Sequence, residues 1–377
     1  MKQTILIISL FFGSYLNSLA TVYTVLNFPA GIAQFDNIQA ACDSANHGDT
    51  IYIHGSIVPY AQFTVDDKKL IYIGPGFATE KISPISAKLG IVTIRNFSNI
   101  IGTSSGTEFH GLEFTSALTL GGIGTNGEAV NNVLVNRCYF NGGSGTNFTF
   151  ANNGRTHANI IIQNCYFSYY ILDANFSSGY LVNFLFRNNV VRPATITPFF
   201  SGFSKSSGVV IDHNLFYGNG AASPLFGNSI TQSPNNSYIS NNIFVGVSNL
   251  NFGFNNSYQN NITFNTTSTT IPWATPNNFD LGSNISQTDP QLVSQADINS
   301  GVHNTLLNFK PNTGSPCIGA GNDGLDMGLI FTPNSIENWN LSRNGVLPYI
   351  VNTAWQSSNT VSQGGTIQVQ IEARKSK

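Results

Sequence analysis

Between residues 109 and 263 the chain repeats one short pattern: an apolar residue, two polar ones, Cys or Asn, then two mostly apolar residues. The copies are Val135–Phe140 (VNRCYF), Ile162–Phe167 (IQNCYF), Phe186–Val191 (FRNNVV), Ile211–Phe216 (IDHNLF), Ile239–Phe244 (ISNNIF) and Tyr258–Thr263 (YQNNIT). Their spacings are 27, 24, 25, 28 and 19 residues, and a weaker copy, Phe109–Phe114, lies 26 residues before the first. Short β-rich runs broken by Gly, Asn and Ser, with no helical period between them, exclude tetratricopeptide and ankyrin repeats. A leucine-rich repeat shares the period but needs a Leu ladder that is missing. The period fits one turn of a parallel β-solenoid, coil stacked on coil at about 4.8 Å. Equivalent side chains then form columns, with Val, Ile, Leu and Phe inside. At the bend, Asn tolerates the left-handed conformation, and its amide can bond to the Asn one coil away. Cys138, Cys165, Asn189, Asn214, Asn242 and Asn261 are expected to form that column, with the two Cys as free buried thiols.

The ends read differently. Asp36 and Gln39 form a candidate capping box. Phe35, Ile38, Ala41, Cys42 and Ala45 share one helical face, and Gly48 can end the helix. Strand-like runs follow at 50–53 and 70–73. An open solenoid end would pair with other chains unless covered, so this helix is expected to be an N-terminal cap. Further upstream, Lys2, the apolar run Ile5–Phe12 and the small residues Ser18 and Ala20 have the layout of a secretory signal peptide. The expected division is therefore signal peptide 1–20, parallel β-helix with its cap 21–330, and a C-terminal capping tail 331–377. The run Thr366–Glu372 in that tail alternates like a strand.

Composition narrows the class. Only 9% of residues are charged against 41% hydrophobic, and the net charge is −2; an average domain has about 25% charged. The 48 Asn, 27 of them within 131–265, supply the missing polarity. Nothing basic is present in excess to hold a nucleic-acid backbone, and hydrophobicity is too high for disorder. No run after the leader reaches the ~18 apolar residues a spanning helix needs. Cys42, Cys138, Cys165 and Cys317 show no C-x-x-C spacing, which argues against zinc or thioredoxin-like chemistry. The chain is expected to be a secreted monomer.

Four segments carry a family resemblance. Phe35–Ala41 leading to Gly48–Ile53 resembles the opening of right-handed parallel β-helix proteins of the pectin-lyase-like superfamily. Leu70–Gly76 and Ile85–Gly90 resemble exported β-helix proteins of Bacteroidetes-type bacteria, mostly without an assigned activity. Ser315–Gly321 through Asp326–Gly328 resembles the superfamily's closing coil, with Gly319 where an acidic residue is usual. The resemblance spans about residues 30–330 and implies an all-β, right-handed solenoid. It implies no single activity, because the superfamily holds lyases, hydrolases, esterases and non-catalytic surface proteins.

The chemistry is sparse. A pectate-lyase-like enzyme needs several carboxylates for Ca²⁺ and an Arg or Lys base; a glycosidase needs two carboxylates at about 5–10 Å. From Val135 to Thr263 the only acids are Asp173 and Asp212. Stacking brings Arg187 and Asp212 to the same motif position in successive coils, with Arg137 and His213 along one edge. Arg187, Asp212 and His213 are thus the candidate catalytic residues for uronate chemistry. The competing reading is a surface ion pair worth under about 1 kcal/mol. A second group, Glu108, His110 and Glu113, should point outward, and Glu113 shares a column with Tyr139 and Tyr166. Glu113, Tyr139 and Tyr166 are the candidate substrate-binding residues, because exposed tyrosines suit the apolar faces of sugar rings. The same tyrosines could instead lie under a loop carrying Arg155 and His157 or Tyr169 and Tyr170. No third metal ligand accompanies the Glu/His group, and Asn322–Asp326 has oxygen ligands at loop spacing but is far shorter than an EF-hand. The leading expectation is a non-catalytic extracellular or cell-surface protein that contacts polysaccharide. The alternative is a polysaccharide lyase or glycoside hydrolase acting on an acidic glycan, with Ca²⁺ as the cofactor of a lyase.

Overall fold

A computed structural model describes residues 20–375, except 28–31, 78–84, 98–102, 122–126, 143–146, 152–153, 175–179, 194–196, 220–222, 228–231, 249, 251–252, 267–271, 276, 333–337, 343–347 and 356–368. The expected leader lies outside the described residues, apart from Ala20. The chain winds into a parallel β-solenoid with three long sheets of 11, eight and seven strands. Within them every pairing is parallel except that of the two-residue strand Gly127–Glu128 with Val92–Phe97.

The repeat sets the register. Its first position aligns as Phe109, Val135, Ile162, Phe186, Ile211, Ile239 and Tyr258 across the 11-stranded sheet. Its sixth aligns as Phe114, Phe140, Phe167, Val191, Phe216, Phe244 and Thr263 across the eight-stranded sheet. The first column and all of the second but Thr263 belong to the main core. Phe140 and Phe167 stack at 4.4 Å with planes 2° apart, and Phe114 and Phe140 at 4.8 Å, the strand spacing itself. The coil lengths differ, yet the register holds even across the 19-residue step from Ile239 to Tyr258. The turns therefore absorb the variation.

The Asn column divides in two. The left-handed backbone lies one position earlier than expected, at Arg137, Asn164, Asn188, His213, Asn241 and Asn260, where φ is 51–58°. The fourth-position amides form the ladder. Asn189 N and Nδ2 donate to Asn214 Oδ1 at 2.9 and 3.1 Å, and Asn214, Asn242 and Asn261 repeat the contact down the stack to Asn284. The corner residue must turn the chain, while the residue after it can reach the N–H of the adjacent coil. One side chain cannot serve both needs. Cys138 and Cys165 are free and buried.

The helix spans Ile38–Ser44, with Ile38, Ala41 and Cys42 buried. Its N-cap is Asn37, whose Oδ1 accepts from Ala40 N at 2.8 Å, and not Asp36. Gln39 is not part of a capping box; it exchanges two bonds with the backbone of Thr64. At the other end, Val369–Lys375 pairs antiparallel with Pro348–Trp355 in a separate two-stranded sheet. Among the described residues no helix is long and apolar enough to cross a membrane.

The last strand of the stack is Phe279–Asp280. The following chain, about 286–332, folds onto the outside of the eight-stranded sheet as a strap. It reaches the coils of Tyr139 and Arg192 at 301–303, returns to Asn260 at Ala320, and turns up again to Asn188 at Ile330. Beneath it lies the fifth motif position. Tyr139, Tyr166, Val190, Leu215, Ile243 and Ile262 face away from the coil interior, yet form a second buried cluster with Leu292, Ile298, Leu307, Phe309, Cys317, Met327 and Leu329. The segment resembling a closing coil, Ser315–Gly328, belongs to this strap.

Candidate functional site

Arg187 and Asp212 are in-register neighbours, and Arg187 Nε lies 3.4 Å from Asp212 Oδ2. The other carboxylate oxygen of Asp212 accepts from Ser240 Oγ at 2.7 Å and Asn241 Nδ2 at 2.8 Å. His213, on the adjoining corner, is fully buried under the strap. Its Nδ1 is 3.0 Å from Gly328 O and its Nε2 3.0 Å from Asp323 Oδ2. Both ring nitrogens thus face oxygen atoms of the strap. Burial raises the pKa of the Asp323 carboxyl, but the Leu325 N–H and His213 outweigh it and hold the group below its ordinary value. The structure thus brings the three candidate catalytic residues together as a charged clasp between coils and strap. A general acid or base must reach a substrate proton, and the His213 ring has no exposed surface.

The tyrosine column is covered, not exposed. Tyr139 is 7% exposed and Tyr166 0%, because the strap brings apolar side chains down on their column. Tyr166 packs edge-on to Tyr139 and near Phe309, and bonds the Tyr217 hydroxyl at 2.5 Å. The principal cover is residues 298–309, not a loop at 155–157 or 169–170; Tyr169 only flanks His303. His157 is itself buried, its ring held by Val130 O and Ala151 O. The expected outward trio also separates. Glu108 and His110 bond each other at 2.9 Å on the 11-stranded sheet, whereas Glu113 lies buried on the eight-stranded one.

Where the strap meets the N-terminal coils it leaves a cavity of about 530 Å³, inside the roughly 300–1,000 Å³ usual for small-molecule sites. Glu113 and Tyr139 line it with Lys88, Ser56, Ser86, Phe77, Ile57, Ile85, His303, Asn304 and Thr305. Lys88 and Glu113 are in-register partners on adjacent strands. The Glu113 carboxylate accepts from Ser86 Oγ and, at 3.2 Å, from Asn141 Nδ2, which fixes its orientation. Phe77 and Tyr139 lie 5.5 Å apart. Tyr139 OH meets His303 Nε2 at 2.9 Å. Burial, then the charge of Arg192, pushes the His303 pKa below its usual value. Burial, then Glu113, pushes Tyr139 upward.

Among the described residues no three His, Cys, Asp or Glu side chains gather around one point. The Asn322–Asp326 loop does not fit a calcium site. Asn322 Oδ1 accepts from Asn241, Asp323 from His213 and Leu325 N, and Asp326 Oδ1 from Gly319 N, so its oxygens diverge. Of the cavity residues, Lys88 carries a periodic signal: it precedes Glu113 by 25 residues, one repeat period. His303 carries no periodic signal.

No protein-family model and no curated protein matches the chain. The pectin-lyase-like likeness therefore rests on the four segments quoted above.

Proposed function

We propose that the chain is an exported, right-handed β-helix protein of the pectin-lyase-like kind that binds an extracellular polysaccharide without cleaving it. The observation that carries this reading is the cavity. Two aromatic rings, Phe77 and Tyr139, stand beside a fixed carboxylate, an ammonium and several hydroxyl and amide groups, the mixture that suits a sugar's apolar face and hydroxyl rim. The leader-like pattern at Lys2 and Ile5–Phe12 supports export. Non-catalysis is supported by the engagement of Asp212 and His213 in the clasp.

The test is calorimetric titration of the mature chain with plant, algal and bacterial oligosaccharides, alongside ultraviolet detection of unsaturated products with and without Ca²⁺. Binding without turnover, at least tenfold weaker in Glu113→Gln with an unchanged melting temperature, is expected. Turnover abolished by Asp212→Ala would overturn the non-catalytic reading.

A further inference from the structure

We infer that the cavity selects an uncharged sugar through a pair of neighbouring hydroxyls held between Glu113 and Lys88, and discriminates against uronates. The inference rests on the reading of the cavity as a glycan contact and names the class of glycan. Among the described lining residues, Lys88 and Glu113 carry the only full charges, of opposite sign, on one wall. His303, the remaining basic group, is held toward its neutral form by burial and by Arg192. The wall therefore sums to zero charge. A uronate carboxylate entering it would gain from Lys88, lose to Glu113, and give up its hydration, which an uncompensated charge does not recover.

A neutral diol meets no such conflict. Each hydroxyl can donate and accept at once. Glu113, already fixed by Ser86 and Asn141, keeps acceptor capacity for one hydroxyl, since a carboxylate has roughly four lone-pair sites. Lys88 can donate to the next hydroxyl. Phe77 and Tyr139, largely buried against each other, add an apolar edge to the lining for the C–H face. Asn304 and Thr305 of the strap add further polar groups to the lining.

The test titrates the full mature chain with neutral oligosaccharides, their uronic-acid counterparts, and neutral analogues lacking one hydroxyl of the diol. The wild-type protein is expected to bind the neutral series at least tenfold more tightly than the uronates, and to lose at least fivefold with the deoxy analogue. Glu113→Gln makes the wall net positive and is expected to invert the preference; Lys88→Met weakens the neutral series without inverting it. Melting temperatures of both variants check folding. A wild-type preference for uronates, or a Glu113→Gln variant that weakens both series equally, overturns the selectivity and leaves the glycan contact standing. Failure of every glycan to bind overturns the contact itself, and the selectivity with it.

Discussion

The inside of the coils and the outside of the eight-stranded sheet are both buried, yet they are assembled in opposite ways. Inside, each side chain packs on its equivalent one coil away, as Phe140 does on Phe114 and Phe167. Outside, partners are far apart in sequence: Tyr139 meets His303 across 164 residues, and Tyr217 meets Val302 across 85. The interior is a nearest-neighbour structure whose energy is a sum over coils. The strap is a single long-range closure that no coil can replace. A solenoid can thus keep a uniform core and still build a non-repeating site, provided a separate segment returns across it.

The largest effect is expected in the interior. Phe140 is fully buried and stacked on both sides, so Phe140→Ala should cost about 3–5 kcal/mol, read as a drop in thermal and denaturant midpoints. A loss under about 1 kcal/mol would break the column picture. Next comes the amide ladder. Asn214→Ala removes the acceptor of Asn189 N and the donor to Phe186 O. Leaving buried groups unpaired should cost about 2–4 kcal/mol, with Asn214→Gln giving no full rescue because its longer arm misplaces the amide.

Strap variants should be smaller and local. The folded pKa of His303 lies below that of the unfolded chain, about 6.5. Its contribution is therefore complete above that value and is lost as pH falls through the folded value. Hydrogen exchange over 301–305, corrected for intrinsic rates, should rise from pH 7 to pH 5, and His303→Gln should flatten the profile. Buried His157, also depressed by burial, gives the same sign within the coils, so the regional readout separates them. The smallest effect belongs to Asp323→Asn. That carboxyl is partly exposed and solvent screens it, so about 1 kcal/mol or less is expected at pH 7. The difference from wild type should vanish in acid, as pH falls through the depressed Asp323 value.

The contrast also explains what was legible. Positions one and six of the motif gave register and core, because stacking writes itself as periodicity. The ladder was found, but the left-handed corner was placed on Asn189 and its equivalents when Asn188 and its equivalents turn the chain. Both are Asn in several copies, and composition does not separate a bend from an inward amide. The strap leaves its trace in the fifth position. Val190, Leu215, Ile243 and Ile262 follow the corner beside an inward sixth position, and two adjacent apolar residues on a strand mean that both faces are covered. For Tyr139 and Tyr166 the column's polar end, at Glu113, suggests exposure and its apolar continuation suggests cover, and cover is what the strap provides. What no column could supply was the identity of the cover.

Seating of the strap is the claim on which both the clasp and the cavity depend. Amide hydrogen exchange over 322–330 tests it directly, since Asn322 N, Gly328 N and Ile330 N each donate to a coil residue, Asn241 or Asn188. The account predicts protection comparable to that of the strands Ser207–Asp212 and Tyr238–Ser240. Exchange at the rate of an unstructured chain would contradict it.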